Sequence, residues 1–385
     1  MADSTSLTVQ TYNDLAALQP LREDWNSLLA DSSMPNIFLT WEWITTWWKW
    51  FGQGKPLRII TVRDGSKIIG ILPVYIGELS LFPLIKLKAV LLVGDGGPLY
   101  PEFLGPIIRE QDVSRTESIM AEALLEISRE CKVIKFSDIL LTSKMISPLL
   151  TCLKQNYFVK ESGGVYCPYQ PLPADYNGFL ADLSPKRRKS LRWMVKKVDR
   201  QYRVKLECFR DPDSTHYAFE RIIEIFKKSK RGQTSNQGFN RMDYLGFHQE
   251  VAKASAQHGW LRIYILWFDT VPAAFIYGYY YDRKFWFYQT SFDSTFYQDS
   301  PGTIILQMVI ESLIKEGARE FDFLRGEEGY KYMVARQERQ TTTAVFFGRR
   351  GLAYLAYASR HNLLQFIRKG RSIIPKRLWA RKNNP

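Results

Sequence analysis

The chain has 385 residues, a formal net charge of +14, and 45% hydrophobic and 14% aromatic residues. That length exceeds one ordinary core and suits two domains, and the composition excludes a disordered chain. Cys131, Cys152, Cys167 and Cys208 fall in no Cys-x-x-Cys or metal-ligand spacing, which fits a reducing, cytoplasmic setting better than a disulfide framework. The N-terminal MADSTSLTVQ lacks the basic flank and apolar core of a signal peptide. The longest apolar stretch, Leu81–Val93, carries Pro83, Lys86 and Lys88 and is too short to span a bilayer.

In chain order, Ser6–Thr11 reads as a strand and Leu21–Leu29 as a helix entered through Pro20. A Trp-rich helix over Trp41–Phe51 follows. Leu57–Val62 and Lys67–Ile76 then form a hairpin across Asp64-Gly65. A Gly-rich segment, Gly94–Gly105, leads to an amphipathic helix around Ser118–Ile127 and a buried strand over Lys132–Phe136.

The second half repeats this order. Leu206–Arg210 is a strand and Thr215–Lys228 a helix with Phe219, Ile222, Ile223 and Phe226 at helical spacing. Leu261–Phe268 and Val271–Tyr280 pair across Asp269-Thr270. Lys284–Thr290 is a third strand, Gly302–Glu316 a helix and Glu320–Leu324 a last strand. Leu57-Arg58-Ile59 and Leu261-Arg262-Ile263 open corresponding strands. A repeat this long points to duplication of a whole α/β unit. The expected divisions are 1–170, 171–348 and a basic tail over 349–385. Between the halves, Ser184-Pro185 starts a helix carrying Lys186, Arg187, Arg188, Lys189, Arg192, Lys196, Lys197 and Arg200. It is a solvated connecting helix or, with Arg187 and Arg188 in its first turn, one that faces a phosphate-bearing substrate between the domains.

Chemistry concentrates in Tyr288–Lys331. A strand ends on Gln289-Thr290. Asp299-Ser300-Pro301-Gly302-Thr303 then opens a helix, with Ser300 as its expected cap. Free N–H groups and the helix dipole at such a start suit an anion. Phe321-Asp322-Phe323-Leu324-Arg325-Gly326 places a carboxylate inside an aromatic strand, where it needs a partner or a function. Glu327-Glu328-Gly329-Tyr330-Lys331 follows at the strand's C-terminal end, where α/β sites gather. His216, His248, His258 and His361 are scattered and suggest no metal site.

These pieces resemble the CelD-like acetyltransferase family of bacterial exopolysaccharide systems, within the GNAT superfamily and related to Fem-type aminoacyltransferases. The matching residues are Ser300-Pro301-Gly302, Phe321-Asp322-Phe323 with Gly326 and Glu328, and Tyr330-Lys331. In the first half they are Trp41-Glu42-Trp43, Trp47-Trp48, Gly70–Pro73 and Phe103-Leu104-Gly105-Pro106. The resemblance implies an α/β protein of two tandem GNAT-like domains with mixed sheets, the second holding the donor site. It implies direct transfer of an acyl group, by expectation acetyl, from acyl-CoA as co-substrate. The acceptor is an amine or hydroxyl of a saccharide or lipid-linked envelope precursor, and no cofactor is tightly bound. Gln289, Thr290, Ser300, Pro301, Gly302 and Thr303 are the expected donor contacts. Tyr288, Asp293, Arg325, Arg187 and Arg188 are the expected acceptor contacts. Asp322, Glu328 and Asp293 are candidate bases, Tyr330 the candidate acid, and Lys331 a stabiliser of negative charge.

The sequence departs from the usual GNAT loop in having one glycine, Gly302, with Asp299 before it. Aminoacyl-tRNA therefore stands beside coenzyme A as donor, and an inactive scaffold of the polysaccharide machinery is the reading from another class. The segment 349–385 holds ten Lys or Arg and no Asp or Glu, leaving +4 of the +14 for the rest. Mixed with Leu363, Leu364, Phe366 and Ile367, these cations suit peripheral contact with an anionic membrane or a helix packed on the body.

Overall fold

The computed structural model describes residues 7–82, 85–131 and 133–348. The first half runs β1 (Thr8–Tyr12), α1 (Arg22–Ala30), α2 (Trp41–Phe51), β2 (Leu57–Asp64), β3 (Lys67–Phe82), β4 (Ile85–Leu92), β5 (Ile107–Ile108), α3 (Val113–Ser128), β6 (Val133–Ile139), α4 (Ser147–Asn156) and β7 (Tyr157–Pro171). The second runs α5 (Tyr176–Asp182), α6 (Pro185–Gln201), β8 (Val204–Phe209), α7 (Thr215–Lys228), α8 (Lys230–Thr234), α9 (Met242–Gln257), β9 (Leu261–Phe268), β10 (Val271–Tyr281), β11 (Lys284–Phe292), α10 (Pro301–Lys315), β12 (Glu320–Asp322) and β13 (Gln337–Gly348). The tail over 349–385 lies outside the described residues. Among the described residues no helix is long and apolar enough to cross a membrane.

Local chemistry accounts for the sharpest boundaries. Thr40 Oγ1 accepts the Trp43 N–H at 3.3 Å and opens α2. Gly65, at φ +58°, makes the β2–β3 turn that a side chain would strain. Ser184 caps α6 by accepting from Arg187 N–H, with Pro185 in the first turn.

One mixed sheet joins both halves, in the order β1-β2-β3-β4-β6-β13-β7-β12-β11-β10-β9-β8, with β5 beside β3. β1 to β4 and β8 to β11 are matching antiparallel meanders. Each is followed by a parallel neighbour, β6 beside β4 and β12 beside β11. These are two matching units in tandem. At the centre they exchange strands. β7, which follows β6 in the chain, pairs with β12, and β13, which follows β12, pairs with β6. β7 and β13 also pair with each other from Tyr169/Gln337 to Tyr157/Gly348.

Two apolar cores result. One extends from the first half to α7 and α9, through Trp25, Trp43, Trp47, Phe219 and Phe247. The other lies under α5, α6 and α10, with Leu191, Val198, Ile305, Val309 and Phe321. The Trp-rich α2 serves the junction: Trp43 packs edge-on against Phe247 at 5.2 Å and against Tyr288 at 5.6 Å. At its exposed end, Lys49 and the Trp50 indole both bind Glu250 of α9, at 2.7 and 2.9 Å.

The exchanged strands meet closely at Gly164. A Cβ there would stand 2.2 Å from Thr341 Oγ1 and 2.6 Å from the Thr341 carbonyl. Backbone cannot move aside as a flexible side-chain end can, so Gly164→Ala is expected to cost about 1–3 kcal/mol. A lowered urea midpoint in that variant is the check, and an unchanged midpoint would contradict such tight packing of β7 on β13.

Candidate functional site

The site begins where two parallel strands separate. β11 and β12 pair only from Lys284/Glu320 to Trp286/Asp322. Beyond that point β11 runs on to Phe292 against β10. The chain after β12 turns the other way, with Leu324 at φ +55° and Gly326 at φ +116°. Exchanged strand β7 holds this turn: Phe323 N–H donates to Pro168 O at 3.0 Å and Gly326 N–H to Tyr166 O at 3.1 Å. A cleft of about 280 Å³ opens in the fork. Phe287, Tyr288, Gln289 and Thr290 form one wall and Phe323, Leu324 and Arg325 another. Arg231, Gly238 and Tyr244 close one side, and Pro98, Tyr100 and Glu102 come from the first half. Both units therefore build it.

Glu102 is the group that sequence reasoning missed. Its residue is 1% exposed, and it lines the cleft. Burial pushes its carboxyl up from 4.5 to about 8, against the opposing pull of Arg325. Its Oε1 accepts the Arg325 N–H at 3.2 Å. The Arg325 guanidinium binds Asp138 at 3.1 Å and lies over the Tyr100 ring, 5.0 Å from its centre. Asp138 in turn accepts from Thr341 of β13 at 3.2 Å. Phe103, Asp138 and Leu324 all hold positive φ without being glycine, and Phe103 N–H donates to Asp138 O at 3.0 Å. Strained backbone from both halves converges on one charged knot, which is where folds tend to store strain for function.

Residues 185–332 match the family model described as an acetyltransferase (GNAT) domain. The second half thus carries a GNAT-type domain over residues 185–332. The chain is accordingly an acyltransferase. Among solved structures it is similar to FemX, at 10% identity and a TM-score of 0.57, covering 84% of this chain and 95% of that one. It is similar to the C-terminal domain of a putative lysylphosphatidylglycerol synthetase from Agrobacterium fabrum, at 10% identity and 0.56, covering 88% and 94%. A conserved protein of unknown function from Bacteroides thetaiotaomicron gives 12% identity and 0.53, covering 88% and 100%. At these identities the likeness is one of fold. No curated protein sequence matches the chain.

Within this GNAT domain the cleft gathers seven of the residues expected from sequence: Tyr288, Gln289, Thr290, Arg325, Glu328, Tyr330 and Lys331. Lys331 is buried, its Nζ donating to Arg325 O at 2.5 Å and pairing with Glu328 at 3.1 Å. Burial pushes the Tyr330 phenol well above its ordinary value, so it keeps its proton at neutral pH. Thr290 Oγ1 is engaged with Phe275 O at 2.7 Å.

Other expected residues lie elsewhere. Asp322 is fully buried behind the cleft, bound to Arg339 at 2.9 Å and to Leu324 N–H at 2.8 Å. Asp293 binds Thr295 N–H at 2.9 Å and Thr295 Oγ1 at 2.8 Å, starting the turn Ser294–Asp299. Ser300 does not cap α10 with its side chain: it sits at φ +54°, and its carbonyl accepts from Thr303 and Ile304 instead. Pro301 is buried, and Gly302 packs near the Phe292 ring. Asp299 is matched by Lys197 at 2.8 Å and by the Tyr202 hydroxyl at 3.1 Å, so its charge at this helix start is offset. Helix α6 packs against α10 rather than between the halves, because Leu191 and Val198 join the core there. Arg188 donates to the carbonyls of Leu180, Ala181 and Leu183 at 2.8–3.1 Å, closing α5. Burial lowers the pKa of Arg187, whose Nε has no partner.

A signal for Glu102 was present. It stands between Pro101 and Phe103 in an apolar run, the same anomaly that singled out Asp322. Tyr244 and Arg231 carried none, since only tertiary packing brings them to the fork.

Proposed function

We propose that the protein moves an acetyl group from acetyl-CoA onto an amine or hydroxyl of a saccharide or cell-envelope precursor, as a CelD-like member of the GNAT superfamily. The observation that carries this reading is the fork between β11 and β12, with a high-pKa carboxyl, a protonated phenol and a buried lysine around one cleft. Glu102, once ionised, takes the proton from the acceptor, whose lone pair attacks the thioester carbon. Tyr330 protonates the departing thiolate and Lys331 offsets negative charge nearby. Glu328 is the alternative base. The first turn of α10, with Asp299 neutralised by Lys197, would take the pyrophosphate. Tyr100, 64% exposed at the rim, offers a face on which a sugar ring can stack.

Acetyl-CoA titration by calorimetry tests the donor. Saturable binding is expected, and Gly302→Trp should abolish it while the far-UV spectrum stays unchanged. No saturable binding to the wild type would overturn the coenzyme A reading. The second reading, an aminoacyl-tRNA donor, is favoured by the exposed Lys186, Lys189, Arg192, Lys196 and Arg200 on α6. It predicts salt-dependent tRNA binding in that case.

A further inference from the structure

One polar group in the cleft is built and unused. Gln289 is 6% exposed on β11, beyond Trp286, where β11 and β12 part. Its Oε1 accepts from the Tyr244 hydroxyl at 2.8 Å. Its Nε2 is buried with no protein partner. A buried amide N–H left unpaired costs about 1–3 kcal/mol, so an unmade bond at this position calls for an occupant.

The amide is also held in one orientation. Burial raises the pKa of both phenols, and the Tyr288 hydroxyl bonds to that of Tyr244. Tyr244 gives its own proton to Gln289 Oε1. The chain Tyr288 to Tyr244 to Gln289 thus keeps oxygen inward and leaves the NH₂ group as the open end. Gly238 borders this group. It lies in the cleft lining at φ +64°, a backbone conformation that disfavours a side chain, and a Cβ there would be in van der Waals contact with Nε2 at 3.7 Å. Two neighbouring donors are engaged, Thr290 with Phe275 O and Lys331 with Glu328 and Arg325 O.

We propose that Gln289 Nε2 binds the carbonyl oxygen of the acyl donor and stabilises the oxyanion formed on attack, with Tyr244 and Tyr288 as positioning residues. This rests on the acyl-CoA reading above. As the acceptor's lone pair forms the new bond to the acyl carbon, the carbonyl π pair moves onto oxygen. It returns when the C–S bond breaks and the thiolate leaves with a proton from Tyr330. A neutral amide donor suits this oxygen because it gains strength as charge develops and carries no charge to be desolvated beforehand.

Isotope-edited infrared spectroscopy of bound [1-¹³C]acetyl-CoA reads this bond directly, alongside calorimetric affinity. The wild type is expected to show the thioester carbonyl band shifted to lower frequency than in water-excluded model solvents. Gln289→Leu should lose that shift while still binding acetyl-CoA, with turnover falling about 10²–10³-fold. Tyr244→Phe removes only the orienting bond and should weaken the shift in a folded, binding-competent protein, which covers the case of a Leu variant that does not fold. A shift that survives both variants overturns the role of Gln289 and leaves the coenzyme A reading intact. Absence of acetyl-CoA binding to the wild type overturns both.

Discussion

Glu102→Gln is expected to lower kcat/KM by about 10²–10⁴-fold, with the loss concentrated in kcat. Glutamine keeps the shape and can still accept from Arg325 N–H, but it cannot take a proton. The pH profile should separate this from a structural defect. Burial holds the Glu102 carboxyl protonated up to about pH 8, so wild-type activity should climb through that region as the base ionises. The glutamine variant should lose that climb. Stability gives an independent readout with the opposite slope. In the unfolded chain this carboxyl ionises near 4.5, and in the folded one near 8, so between those values the folded state binds the extra proton. Folding stability should therefore fall as pH rises from 4.5 towards 8, by at most about 5 kcal/mol from this group at 1.36 kcal/mol per pH unit. Glu102→Gln should flatten the melting temperature across the same window. A variant with wild-type activity and the wild-type pH–stability slope would remove Glu102 from the mechanism.

The residues that made parts of this fold legible are those whose local chemistry is decisive. Trp41–Phe51 and Thr215–Lys228 form helices with the expected bounds, because helical apolar spacing gave the same answer as packing. Nothing local marks β7 and β13 as strands. β7 contains Gly163, Gly164 and Pro168, and β13 opens with Gln337-Glu338-Arg339-Gln340. Neither shows the apolar alternation of a half-buried strand. They are strands because each finds partners on both sides in the centre of the sheet. α9 escaped too, since Arg241 before it makes no side-chain cap. The site divides in the same way. Motif order placed Tyr288, Gln289, Arg325, Glu328, Tyr330 and Lys331 together, but nothing local brings Glu102 223 residues along the chain to the Arg325 N–H.

Strand exchange explains why the cleft needs the whole chain. The turn that opens the fork is fastened to the carbonyls of Pro168 and Tyr166 on β7. The charged knot behind it reaches Thr341 and Arg339 on β13. A half that closed its own sheet would lack one of these supports. Sites held to within fractions of an ångström need rigid backing from packed elements, and here each unit's last strand backs the fork from the far side.

Asp322→Ala is the substitution expected to damage the fold most, at about 3–5 kcal/mol. Asp322 is fully buried, with one oxygen on Arg339 at 2.9 Å and the other on Leu324 N–H at 2.8 Å. Removing it leaves the Arg339 guanidinium with Glu320 at 2.7 Å and the Tyr169 ring, and with one of its two carboxylates gone. It also frees the Leu324 amide, which holds the positive-φ turn that presents Arg325 to Glu102. Burial lifts the Asp322 carboxyl to about 6 against the pull of Arg339. That value alone would suit a general base, so the variants must separate the two roles. Asp322→Asn retains an oxygen for Leu324 N–H and gives up only the charge. If Asp322 is structural, Asn should lose about 1–3 kcal/mol in urea denaturation and keep most of its turnover at a temperature where it is folded. If Asp322 is the base, Asn should lose turnover at least as severely as Glu102→Gln even at a temperature where it is folded. The second outcome would move the proton transfer from the first half of the chain to the second.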